Sequence, residues 1–217
     1  MKGPLFIKKE LYMAQDYFKY YKSKFLIILI VYITTLVLWM KNHWGIALSS
    51  TTVIGGLIWL IDKYLWKYKP FIWLFTIDNF SGRYEGVIKF DFIDNDGIHQ
   101  SGEMKHIKLV HQTGSTISVH SFTIGMDGTK SSLSINKGVF IEKTPDGLHY
   151  QLVYSYLNNG SNMNRKLSAH FGTDILKFIK RSNGKELSGN YYTNREPQTK
   201  GTYLELKWIN KDLSHEF

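Results

Sequence analysis

The sequence predicts a membrane-anchored all-β protein: a two-helix transmembrane hairpin followed by a minimal antiparallel β-barrel of about eight strands. Three observations carry that prediction. Two uncharged apolar runs, Phe25–Met40 and Trp44–Ile61, lie back to back near the start of the chain. From Arg83 onward the apolar period changes to two, the period of a half-buried strand. Short turn signals rich in Asn, Asp and Gly then punctuate the chain at regular intervals, with no helix-period segment between them.

The apolar runs read as transmembrane helices, because lipid offers no partner for backbone polar groups and a helix satisfies its own. Only Lys41-Asn42-His43 separates them, so the sequence predicts antiparallel spans with both outer ends on one side. Lysines 2, 8, 9, 19, 22 and 24 precede the first run, and Lys63, Lys67 and Lys69 follow the second. That asymmetry places both termini in the cytoplasm. Tyr20, Tyr21, Trp39, Trp44, Trp59, Tyr64 and Trp66 occur at interfacial depth. The residues after the first run, Met40 to His43, do not resemble a signal-peptide cleavage site. Sixteen residues span ~24 Å at ~1.5 Å each, short for a hydrocarbon core of ~30 Å. A short span thins the bilayer or favours oligomers. Ala47, Thr51 and Gly55 fall four apart, with Gly56 beside them, and such small residues permit close helix packing. That packing is either inside the hairpin or between protomers of a homo-oligomer.

Four segments follow. Residues 1–24 form a cytoplasmic N-terminal segment, where Leu11, Tyr12 and Phe18 suit an interfacial helix or an extension of the first span. Residues 25–61 are the hairpin, and 62–78 a basic juxtamembrane linker ending in the apolar Phe71–Ile77. Residues 79–217 are the cytoplasmic β-barrel, long enough for a real core.

Within the barrel, Tyr84, Gly86, Ile88, Phe90 and Phe92 share one face of the first strand. Asp94 to Gly97 turns into a strand over 98–110, with a bulge expected at Gly102. The third strand covers 116–124. Two short strands, 130–135 and 139–143, flank Asn136-Lys137-Gly138, and further strands cover 148–157, 167–180, 186–193 and 201–209. Gly82-Arg83-Tyr84, Gly189-Asn190-Tyr191 and Gly201-Thr202-Tyr203 suggest close backbone approach at barrel corners. A barrel of about eight strands either fills its own interior or holds one small ligand.

Composition narrows the chemistry. The chain has no cysteine, so it has no disulfide, thiolate zinc site or Cys nucleophile. Its formal charge of +9 suits anionic lipid near the spans and a polyanionic ligand elsewhere. No G-x-S-x-G, H-E-x-x-H, P-loop or G-x-G-x-x-G occurs, which argues against an enzyme. The barrel histidines, including His106 and His170, are scattered singly and read as surface or satisfied core residues, with no metal site. His120 shares a strand face with Phe122, Tyr154 shares one with Tyr156, and Tyr191-Tyr192-Thr193-Asn194-Arg195 ends a strand at a loop. Rings that stack on bases, amides that read base edges and an arginine for phosphate would suit a nucleotide. The same tyrosines would equally serve as ordinary barrel core.

A two-helix hairpin with cytoplasmic termini, then a barrel opening SGRYEG and closing SGNYYTNREPQTKGTYLEL, resembles the two-transmembrane, β-strand-rich effectors of bacterial CBASS antiphage systems, which are CD-NTase-associated proteins. The resemblance implies that a partner CD-NTase makes a cyclic oligonucleotide, with a cyclic dinucleotide the expected form. The barrel binds it, the protein oligomerises, and the helices disrupt the inner membrane until the cell dies. On this view Tyr84, His120, Tyr156, Asn194 and Arg195 line the pocket, membrane lipids and the messenger are the partners, and no DNA or RNA duplex is involved. The competing reading is a membrane-anchored, lipocalin-like barrel for a lipid or another protein, for which a continuous apolar lining is expected.

Overall fold

The computed structural model describes residues 17–45, 48–94, 96–160 and 168–217. The chain divides into two compact units. One comprises the residues up to Asn79 with the turn Gln112–Thr116, and the other comprises Phe80–His111 with Ile117–Phe217.

In the first unit, α1 spans Ser23–Trp44 and α2 spans Ser50–Leu60. Of the described residues, only α1 forms a helix both long and apolar enough to cross a membrane. Lys41-Asn42-His43 is not the link between the apolar runs, because α1 continues through it. Nothing in Lys-Asn-His stops a helix. The stop comes at Gly45, which takes a left-handed φ of 67° and donates its N–H to the Lys41 carbonyl at 3.0 Å. Ser49 then caps α2, its hydroxyl accepting from Thr52 N–H. The second run therefore begins as a helix only at Ser50 and passes at Ile61–Leu65 into a π-helical turn. Ile33 and Val37 of α1 and Ile58 of α2 are buried, whereas Gly55 and Gly56 are exposed with no atom near the position of a Cβ. Thr51 is exposed too, and Ala47, like Leu11 and Tyr12, lies outside the described residues.

Asp62 of the π turn is buried and accepts from Tyr21 Oη at 3.0 Å and Ser115 Oγ at 3.1 Å. A 3-10 turn, Phe71–Leu74, folds the apolar linker back so that Leu74 and Phe75 pack with Tyr21, Ile61 and Trp66.

The second unit is a closed barrel in simple up-and-down order. Its strands are β1 Gly82–Ile93, β2 His99–Gln112, β3 Ile117–Ile124, β4 Lys130–Lys143, β5 Tyr150–Asn158, β6 His170–Arg181, β7 Gly184–Thr193 and β8 Lys200–Asn210. Closure comes from β1, which pairs antiparallel with β2 and also with β8. The two short strands expected around Asn136–Gly138 are one strand, β4, with a register shift at that place. Gly102 is not a bulge. It pairs in register with Phe90, and a Cβ there would meet the Phe90 ring at 2.7 Å. The glycine at Gly189 does mark close approach: its φ is 155° and a Cβ would sit 2.0 Å from the Ile175 carbonyl.

Candidate functional site

The antiparallel order gives the barrel two unlike ends. At the end where the chain enters β1, the inward side chains are large and apolar. Phe80, Leu152, Leu176, Phe178, Leu187 and Leu206 are at most 2% exposed, and the Phe80 ring meets Phe178 edge-on at 4.6 Å. Tyr84 belongs to this packing, fully buried, with Oη donating to the Phe80 carbonyl at 2.6 Å. Burial pushes its phenol pKa up.

A polar layer crosses the barrel above that plug. Lys108 is fully buried and pairs with Asp174 at 2.7 Å. Its Nζ also donates to Ser121 Oγ at 3.1 Å and lies 4.2 Å from the centre of the Tyr203 ring. Tyr203 Oη donates to the other Asp174 oxygen at 2.8 Å. Burial pulls the Lys108 pKa down and the Asp174 charge pulls it back up. Each charge is thus compensated by geometry, the condition under which a buried pair is tolerated.

Beyond this layer the barrel is hollow. A cavity of about 200 Å³ opens there, lined from all eight strands and the β7–β8 loop. One wall is apolar, made by Ile88, Phe90, Phe92 and Met104. The lining from β4, β5 and β7 carries Ser132, Ser134, Asn158 and Thr193. Asn158 Nδ2 donates to both serines, at 3.1 and 2.8 Å, and its Oδ1 accepts from Gly160 N–H at 2.8 Å. Tyr156 lines the cavity at 6% exposure. Gly172, its cross-strand partner, makes room for that ring, since a Cβ would fall 2.2 Å from Tyr156 Cζ. Arg195 lines the rim, its Nε and Nη2 donating to Thr199 Oγ1 at 2.9 and 2.7 Å. At the floor, His106 is 4% exposed, with Nδ1 3.1 Å from Thr123 Oγ1 and its ring 5.0 Å from that of Tyr203. Burial, reinforced by the Lys108 charge, holds its pKa well below the usual histidine value, so the ring is neutral.

Of the five residues expected to line a pocket, the structure brings together Tyr156 and Arg195. Tyr84 lies in the apolar plug instead. His120 and Phe122 do share a face, but it is the outer one: His120 meets His215 at 3.0 Å, and Phe122 packs against His215 and Phe217. The inward positions of β3 are Ser121 and Thr123. Asn194 caps a strand end, its Oδ1 accepting from Phe171 N–H at 2.9 Å, and does not line the cavity. His106, read from sequence as a surface or satisfied histidine, is a cavity residue whose Nε2 has no hydrogen-bond partner among the described residues. The floor pair Lys108–Asp174 was not anticipated. A lysine inside the apolar stretch Ile107-Lys108-Leu109-Val110 was its one local signal. No cluster of three or more acidic or histidine side chains suited to a metal ion occurs among the described residues.

Comparison with known proteins gives one assignment. The family model described as "Cap15, cyclic dinucleotide receptor domain" matches residues 75–207, which include all eight strands down to Lys207 of β8. Neither the curated proteins nor the solved structures contain a match. A match over more than half of the chain, on the domain that holds the cavity, makes this protein a member of the Cap15 cyclic dinucleotide receptor family.

Proposed function

We propose that this chain is a CBASS effector whose barrel binds a cyclic dinucleotide made by a partner CD-NTase, and that it is not an enzyme. The observation that carries the reading is the coincidence of the receptor-domain match with a hollow barrel end of mixed chemistry. The family description supplies the ligand class, and the cavity supplies a place suited to it. Aromatic rings face the base planes, hydroxyls and an amide face polar edges, and a rim guanidinium suits a phosphate. Tyr156 and Arg195 are the binding residues in this proposal, joined by Asn158 and Thr193. The lining is mainly apolar but is interrupted by Ser132, Ser134, Asn158, Thr193 and Arg195, which weighs against a lipid carrier, for which a continuous apolar surface was the expected mark.

The output is proposed to be disruption of the inner membrane. In this proposal α1 and the shorter α2 with its π turn form the membrane hairpin, with both termini cytoplasmic. The exposed Thr51, Gly55 and Gly56 offer a face for packing between protomers, with Ala47 assigned to the same stripe from the sequence. Ligand binding then favours the oligomer to the extent that the oligomer binds the ligand more tightly.

The test is dye release from liposomes of anionic lipid carrying the full-length chain, with cyclic dinucleotides added from outside. The proposal predicts saturable, ligand-dependent release and a matching increase in cross-linked oligomers. Binding without release would leave a receptor with a different output, and the absence of both would overturn the reading.

A further inference from the structure

We propose that His106 is the residue that selects among nucleobases, its Nε2 meeting the hydrogen-bonding edge of one base at the floor of the cavity. This rests on the reading of the cavity as a cyclic dinucleotide site. The argument starts from bookkeeping of buried polar atoms. A desolvated nitrogen without a partner is costly, and native interiors seldom keep one without a use. His106 Nε2 has no partner among the described residues, although the ring is 4% exposed and lines the cavity. The ring is held in place, with Nδ1 3.1 Å from Thr123 Oγ1 and its plane tilted against Tyr203 at 5.0 Å. A group so held discriminates more sharply than a mobile one, since it cannot swing to suit a wrong partner.

The neighbours fix what kind of group arrives there. Lys108 is already engaged by Asp174 and Ser121, so the floor offers no uncommitted cation for a phosphate. The imidazole itself is neutral. The rings of His106, Tyr203 and Tyr191 form a continuous aromatic floor, with Tyr191 and Tyr203 5.4 Å apart. A flat group with apolar faces and a polar edge fits that surroundings, and within a cyclic dinucleotide only the bases are of that kind. The phosphates are left to the rim, where Arg195 stands.

The test measures affinity of the full-length protein, in detergent, for cyclic dinucleotides that differ only in their bases: cyclic di-AMP, cyclic di-GMP, cyclic di-UMP and cyclic GMP-AMP. Four variants are compared: His106→Phe, His106→Gln, Thr123→Val and Arg195→Ala. His106→Phe is expected to lower affinity for the preferred member by about tenfold or more while the others change little, so that selectivity collapses. His106→Gln, which places a polar group near Nε2, restores part of the preference. Thr123→Val keeps the imidazole but releases its anchor, and reduces selectivity to a smaller degree; it carries the test if His106→Phe does not fold. Arg195→Ala weakens all members alike. An equal loss across the panel with the ranking intact in the His106 and Thr123 variants would overturn the inference while the receptor reading stands. Failure of the wild-type protein to bind any member would overturn both.

Discussion

The two ends of the barrel are made by the same eight strands, yet one is filled and the other hollow. Their backbones obey one rule, inward and outward positions in alternation. They differ in what occupies the inward positions. Along β5 the inward series runs Leu152, Tyr154, Tyr156, Asn158, and along β6 it runs in the opposite sense from Phe178 and Leu176 to Asp174 and Gly172. Large apolar side chains give way to a charged and phenolic layer, and then to small polar ones that do not reach the axis. A cavity is therefore a gradient of side-chain volume and polarity along strands of constant geometry. The Lys108–Asp174 layer marks the boundary: it closes the plug from above, and Asp174 joins the rings of His106, Tyr191 and Tyr203 in the cavity lining.

The comparison breaks most severely at that layer. Asp174→Ala leaves Lys108 fully buried without its counter-ion, and should destabilise the barrel by about 3–5 kcal/mol in denaturant unfolding. The paired change Lys108→Met with Asp174→Leu should recover much of that loss, because no lone charge remains. Next comes the plug. Leu176→Ala removes a fully buried side chain and should cost about 2–5 kcal/mol. Affinity of the folded protein for ligand should change little, since Leu176 does not line the cavity.

A smaller effect follows from pH. His106 stays neutral when folded, whereas in the unfolded chain it titrates near 6.5. As pH falls below that value, the unfolded state gains a proton that the folded state refuses, so stability declines. Each unit of pH costs about 1.4 kcal/mol until the folded value is reached. The measurement is unfolding free energy between pH 7 and pH 5, and His106→Gln should lack this component of the slope. The smallest effect on stability belongs to the rim. Arg195→Ala removes the hydrogen bonds to Thr199 and should shift unfolding by about 1 kcal/mol, while weakening a phosphate-bearing ligand clearly.

Much of the barrel was legible because its alternation and its turns are local. Asp94 to Gly97 and Ser182 to Lys185 announce hairpins without reference to anything distant. Tyr156 and Arg195 were legible for a similar reason: one sits on a clear inward series, and the other where a strand meets a polar loop. The failures were of two physical kinds. In β3 both faces are buried, Ser121 and Thr123 inside and Phe122 outside beneath His215 and Phe217. Alternation then cannot say which face is the interior, and His120 was assigned to the wrong one. The floor of the site depends on pairings across the barrel, such as Lys108 with Asp174, 66 positions apart. No local pattern encodes these. The serines of β4 were missed because a small polar side chain in a strand carries no signal until its neighbours are known to leave space beside it. The end of α1 lies beyond the apolar run because charged Lys41 and polar Asn42 are tolerated in a helix, and it is Gly45, in the left-handed conformation, that stops it.

The most direct test of the account is cyclic dinucleotide binding by the full-length protein, beside a variant in which the hollow end is filled. Ser132 lines the cavity, and Ser132→Phe puts a ring into that space. Titration calorimetry is predicted to show saturable binding of at least one cyclic dinucleotide by the wild type. Ser132→Phe should abolish it while the protein still unfolds cooperatively, its stability lowered by about 1 kcal/mol for the lost hydrogen bond from Asn158. Equal binding by both proteins, or by neither, would contradict the claim that the hollow end of the barrel is the receptor site.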